Sequence, residues 1–169
     1  MYGSRWFDKS LVLRDGVRLT SRIWFPNGNC PWPALLMRQP YGKEIASTIT
    51  YSHPEWWASK GYMVIIQDVR GMGSSEGVFN GFSQEASDTS ETHEWVRSLK
   101  ECNGKLGLYG FSYQGFTQLT GELNSKPPDC LSPAMTGMNI KDHWCSDGGA
   151  YWWHNNIAWG LQIAALKMK

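Results

Sequence analysis

At 169 residues, 41 % of them hydrophobic, the chain is long enough for one domain with a substantial core and too apolar to be disordered. A formal net charge of +1 offers no basic face to nucleic acid or to an anionic membrane. Cys30, Cys102, Cys130 and Cys145 are irregularly spaced with no C-x-x-C, a pattern of free thiols in a reducing, cytoplasmic setting rather than of disulfides or a zinc site.

The chain opens on MYGSRWFDKS, which has no apolar core of a secretory signal, and no later run is long enough to span a bilayer. Lys9 to Leu13 and Val17 to Phe25 flank Asp15-Gly16 and predict a hairpin. A loop rich in Pro, Asn and Gly follows, then a compact apolar run, Ala34 to Met37, that reads as a buried strand ending at Gln39-Pro40-Tyr41-Gly42. His53 to Lys60 predicts a short helix with Pro54 in its first turn. Tyr62 to Gln67 (YMVIIQ) is continuously apolar, as buried parallel strands are. Ser83 to Leu99 predicts a helix with Trp95, Val96 and Leu99 on one face, closed by Asn103-Gly104. The stretch KLGLYGFSYQGFTQ from Lys105 then reads as a strand followed by a segment helical towards Leu123. Pro127-Pro128 breaks the chain, and Ala134 to Met138 predicts a further strand. From Gly148 onward the chain is aromatic and helical. Strands alternating with helices after an N-terminal hairpin predict an α/β fold with a mostly parallel sheet.

Two glycine-bearing segments carry the chemistry. Asp68 to Gly77 follows a buried strand, where a dinucleotide fingerprint would sit, but its spacing is G-x-G-x-x-x-G and no helix opens at once. Its expected role is structural, with Asp68 and Arg70 bracing a tight loop. The second is Gly110-Phe-Ser-Tyr-Gln-Gly115. A serine at a sharp strand-to-helix turn has the geometry of a nucleophile elbow, with Oγ clear of the sheet and the next N–H at a helix start. The usual spacing is G-x-S-x-G; here Gln114 takes the last position and the glycine comes one residue later. Glycine and serine also build ordinary turns, so the pattern alone leaves a structural turn open.

Asp15-Gly-Val-Arg-Leu19, Gln39-Pro-Tyr41, Gln67-Asp-Val-Arg-Gly71, Ser75-Glu-Gly77 and the Ser112 elbow occur in that order. Together they resemble the cocaine esterase and X-Pro dipeptidyl-peptidase-like (CocE/NonD) family of α/β-hydrolases, over most of the chain from Asp15 to near Trp159. In that family the elbow is written G-x-S-Y-x-G. The resemblance implies an α/β-hydrolase fold in which residues 1–145 form the N-terminal part of the hydrolase domain and residues 146–169 begin a helical lid or insertion. It implies Ser112 as nucleophile, with the Tyr113 N–H and the Tyr41 phenol as oxyanion-hole donors, and Trp144 and Trp159 around the acyl pocket. Without the family, Tyr41 reads as a turn tyrosine, and the two tryptophans read equally well as helix packing.

The chemistry implied is cleavage of an ester or amide, in a small molecule or a peptide, through an acyl-enzyme on Ser112. No cofactor, metal, nucleic acid or membrane enters it, and the oligomeric state is left open. A serine nucleophile also needs a histidine and a carboxylate, which follow it in chain order in this fold. After Ser112 stand only His143 and His154, with Glu122, Asp129, Asp142 and Asp147. His154 lies in an aromatic helical stretch with no strand before it, so the triad Asp and His are expected beyond Lys169. The alternative is a non-catalytic remnant, or a module that binds ligands or partners through its tryptophans.

Overall fold

The computed structural model describes residues 5–44 and 51–168. The Asp15-Gly16 turn joins β1 (Arg5–Val12) to β2 (Arg18–Phe25) as an antiparallel hairpin, and β2 pairs antiparallel with β4 (Met63–Asp68). β4, β3 (Trp32–Gln39), β5 (Cys102–Phe111) and β6 (Cys130–Ala134) are parallel, and the sheet order is β1-β2-β4-β3-β5-β6. Every residue of β4 is buried, as its unbroken apolar sequence predicts. Alternate residues serve the two faces. Met63 and Ile65 pack with Leu36, Leu106 and Val96 of α2 (Glu85–Ser98), whereas Val64 and Ile66 pack with Met37, Tyr109 and Ala58 of α1 (Pro54–Ala58).

Four boundaries differ from expectation. The sixth strand ends at Ala134 instead of starting there, because Met135 turns out of the sheet at a φ of 41°. Among the described residues β6 pairs with β5 alone, and Pro133 stands inside it opposite Gly110. β5 begins at Cys102, so Asn103-Gly104 belongs to the strand rather than closing α2. The register slips there: Trp32 faces Cys102, and Ala34 faces Leu106. The helix after Ser112, α3, covers only Tyr113–Phe116, and the Gln118 side chain beyond it donates to the Gly110, Gln114 and Ser132 carbonyls. Before α4 (Trp153–Lys167) the chain makes a π-type turn, Lys141–Cys145, and a two-stranded ribbon of β7 (Ser146–Asp147) and β8 (Ala150–Tyr151).

The order of the parallel strands positions the site. From β3 the chain moves to β4 on one side, then crosses back to place β5 on the other. In open α/β sheets the crevice at such a reversal, outside the strands' carboxyl ends, is where ligands bind. The loops after β3 and β5 therefore meet at one edge.

On α2, His93 is 3 % exposed and its Nε2 has no hydrogen-bond partner among the described residues. Burial, reinforced by the Arg38 and Arg97 charges, pushes its pKa down to about 3. In the unfolded chain the imidazole titrates near 6.5. Below that pH the unfolded state takes up a proton that the folded state refuses, so this contribution to stability is intact above pH 6.5 and is lost between pH 6.5 and pH 3. Between pH 7 and pH 5, urea unfolding should show a loss about 2 kcal/mol larger in the natural chain than in His93→Leu. Equal losses in the two proteins would show that His93 carries no such linkage.

Candidate active site

Ser112 sits at the carboxyl end of β5, one residue before α3, with φ 60° and ψ −119°. A non-glycine residue in that region carries strain of about 1–3 kcal/mol, which the surroundings must overcome. They do so through the backbone. The Ser112 N–H donates to Ala134 O at the end of β6 (2.9 Å), and Gly115 and Phe116 N–H donate back to Ser112 O (2.9 and 3.0 Å). Both glycines of the motif are required by close approach. A Cβ on Gly110 (φ 151°) would lie 2.3 Å from Gln114 Cβ, and one on Gly115 would lie 3.0 Å from Ala134 O and Thr136. The displaced glycine thus faces β6, which leaves position 114 free to carry a side chain.

Tyr41 follows β3 and is half-buried. Trp159 Nε1–H donates to Tyr41 Oη at 3.4 Å, and the Ser112 side chain is near enough to the phenol to pull its pKa down. Indole nitrogen only donates, so the Tyr41 proton remains available on the Ser112 side. Burial pushes the phenol above its usual pKa, against the opposing pull of Trp159 and Ser112, and Tyr41 stays neutral at neutral pH. The turn is anchored next to Tyr41. Lys43 is buried, its ammonium donates to Ser74 Oγ, and the Ser74 N–H and hydroxyl donate to Asp68 Oδ2 (2.9 and 3.2 Å). Arg70 in the same loop holds Asp88 with two donors (2.9 and 2.7 Å) and Asp15 with one (2.6 Å). The loop from Asp68 to Gly77 is therefore the brace its sequence predicts.

Tyr113 points its side chain away from the surface. It is fully buried, and its hydroxyl donates toward Glu85 Oε1 (2.8 Å) and Gly81 O (2.7 Å). Burial and the Glu85 carboxylate push its phenol far above the ordinary range, so it stays neutral. Its ring stacks with Phe82 and Trp159 at centroid distances of 5.1 and 5.9 Å. Its N–H is the first amide of α3, which has no intrahelical acceptor.

A cavity of about 570 Å³ opens at Ser112, walled by Met135, Trp144 and Trp152 with the polar side chains of Thr136, His143 and Asn155. Trp144 thus lines the cavity together with Ser112, whereas Trp159 hydrogen-bonds Tyr41. His143 accepts the Asn139 N–H on Nδ1 (3.3 Å), and Asp142 accepts from the Asn139 side chain (2.7 Å). The carboxylate beside His143 in sequence therefore orients Asn139 rather than the imidazole. His154 is exposed on α4, and His53 caps α1 by accepting the Glu55 N–H (3.2 Å).

Residues 15–169 match the family model described as X-Pro dipeptidyl-peptidase (S15 family). The chain belongs to this family. It is 31 % identical over 155 residues to the cocaine esterase of Rhodococcus sp. (strain MB1 Bresler), covering 89 % of this chain and 27 % of that protein. Among solved structures, a CocE/NonD family hydrolase from Staphylococcus aureus superposes with a TM-score of 0.86 at 22 % identity, over 98 % of this chain and 34 % of its own. An aminopeptidase from a marine sediment archaeon, Thaumarchaeota archaeon, superposes with a TM-score of 0.70 at 25 % identity, over 94 % of this chain and 30 % of that one. The fold is that of the α/β-hydrolases, and this S15 chain spans about a third or less of the length of these relatives.

Of the residues singled out in the sequence (Ser112, Tyr41, Tyr113, Trp144 and Trp159), Ser112 and Trp144 border the cavity; its wall of Met135, Thr136, His143, Trp152 and Asn155 was not foreseen. That wall follows β6, and placing the strand at Ala134 to Met138 hid the loop. Gly110→Ala should destabilise this S15 chain by about 3 kcal/mol or more, since the Cβ has no room and the backbone is strained. Chemical denaturation checks it; a loss below about 1 kcal/mol would mean that the elbow relaxes around the methyl group.

Proposed function

We propose that this chain supplies the nucleophile and oxyanion hole of a serine hydrolase that cleaves ester or amide bonds in small molecules or peptides. The observation that carries the reading is the strained Ser112 at the end of β5, opening on a cavity, with Tyr41 at the end of the neighbouring strand β3. Membership of the S15 family and similarity to a cocaine esterase support hydrolysis as the chemistry.

Ser112 Oγ attacks the carbonyl carbon and gives its proton to a histidine base. The carbonyl oxygen becomes an oxyanion held by the Tyr41 hydroxyl and the Tyr113 N–H. The tetrahedral intermediate collapses to an acyl-enzyme as the alcohol or amine leaves with that proton, and water then releases the acid. Trp144 flanks the acyl group, and Trp159 contributes through its hydrogen bond to Tyr41. The histidine and its carboxylate belong to sequence after Lys169, and the segment from residue 146 begins the lid between the two parts. The short share of the relatives' lengths supports this division, as does the engagement of Asp142 with Asn139. Four unpaired cysteines fit a cytoplasmic setting.

Residues Met1 to Lys169 expressed alone should hydrolyse an activated phenyl ester no more than about 10³-fold faster than water does, the residue left by an oxyanion hole without a base. Strong turnover abolished by both Ser112→Ala and His143→Ala would overturn the division of the site and make His143 the base. In the complete hydrolase, Tyr41→Phe should lower kcat by about 10²–10³-fold with little change in KM, because the lost donor acts on the transition state. An unchanged kcat would remove Tyr41 from the oxyanion hole.

A further inference from the structure

Two buried side-chain amides bridge the ends of β3 and β5. Gln39 is the last residue of β3 and 1 % exposed; Gln114 is the second residue of α3 and 3 % exposed. The Phe111 N–H donates to Gln114 Oε1 at 3.1 Å. Gln114 Nε2 donates to Gln39 Oε1 at 2.7 Å. Gln39 Nε2 donates to Gly42 O at 2.9 Å. Both ends force the direction: a backbone N–H can only donate and a backbone carbonyl can only accept, so each amide has one orientation.

The ends of this relay adjoin the two hydroxyls of the site. Phe111 precedes Ser112, and Gly42 follows Tyr41. In a buried setting a fully satisfied chain of hydrogen bonds is stiff, and breaking one link leaves polar groups without partners. An elbow written G-x-S-x-G has no side chain at position 114 to send towards β3; this chain has one because its glycine moves to Gly115.

We infer that Gln39 and Gln114 are positioning residues that hold the Tyr41 hydroxyl in register with Ser112 through the relay from Phe111 to Gly42. The inference rests on the proposed roles of Tyr41 and Ser112. Nothing in the relay touches a substrate; it fixes the separation of two groups that do. Gln114→Glu keeps the acceptor for the Phe111 N–H and replaces the donor to Gln39 by a carboxylate oxygen. The Gln39 amide must then turn over to donate to it, and its own oxygen meets the Gly42 carbonyl. The turn carrying Tyr41 is released while the elbow keeps its anchor. Gln114→Met removes both bonds at nearly the same volume and without a buried charge.

The test combines amide hydrogen exchange with ester hydrolysis on the native protein. In both variants exchange over residues 40–44 should rise about tenfold or more, while Leu35 to Met37 in β3 exchange as before. Ser112-dependent kcat should fall about tenfold to a hundredfold with KM within about twofold, the split expected when geometry in the transition state is lost. Gln39→Met combined with Gln114→Met should lose no more kcat than either alone, because both break one relay. Variants that unfold at the natural temperature and show unchanged exchange and unchanged kcat would overturn the inference, as would a KM change alone. If Gln114→Glu fails to fold, Gln114→Met decides. If the natural protein hydrolyses no faster than Ser112→Ala, the hydrolase reading fails, and the exchange over residues 40–44 still decides whether the relay holds the turn.

Discussion

The buried ion pair between Arg38 and Glu85 is the contact on which the geometry of the site depends. Arg38 is near the end of β3 and 2 % exposed, and Glu85, 0 % exposed, opens α2. The guanidinium donates to Glu85 at 2.6 Å, to Gln67 on β4 at 2.7 Å and to Thr89 at 2.5 Å. The other Glu85 oxygen accepts from the Tyr113 hydroxyl. One charge pair thus ties together the strand leading to Tyr41, the helix over the sheet and the residue after Ser112. A pair this deep gains little over an apolar substitute, but losing one partner costs about 3–5 kcal/mol because the other charge is left stranded. Its value lies in fixing one arrangement of three elements.

Tyr113 shows how that arrangement reaches the surface. Its phenol is spent on Glu85 and Gly81 and its ring on the aromatic stack with Phe82 and Trp159, so only its backbone N–H is left for the proposed oxyanion hole. Trp159 in turn donates to Tyr41 and Asn155 lines the cavity, so the helix α4 bears on the site at two points. The strain at Ser112 is held by interactions that are all backbone or deeply buried. Such a residue stays strained because its neighbours leave it no relaxed alternative.

The apolar pattern made much of the fold legible. YMVIIQ announced a strand buried on both faces, and Asp15-Gly16 announced the hairpin. The sixth strand was hidden by Pro133, a residue without an N–H to give to a ladder and so an argument against a strand. The position of Ser112 came from its flanking glycines, and the pairing of Ser112 with Tyr41 came from the family resemblance alone. Strand order, which brings Gln39 next to the elbow, has no local signature. Arg38, Lys43 and Glu85 look like surface residues in the sequence and are buried in the fold. Composition cannot distinguish a solvated polar side chain from one paired across 47 residues, as Arg38 and Glu85 are.

The place of β3 in the sheet also has a consequence for biosynthesis. Its edge towards β5 is an open row of N–H and C=O groups until residues 102 to 111 emerge from the ribosome, long after β3 and β4 have been made. Pairing over such a sequence separation is slow, since loop closure must precede the contacts that reward it. The strand that finally seals this edge is the one that ends in Ser112. Covering that edge of the nascent sheet and bringing the serine to the strand that leads to Tyr41 are therefore a single event.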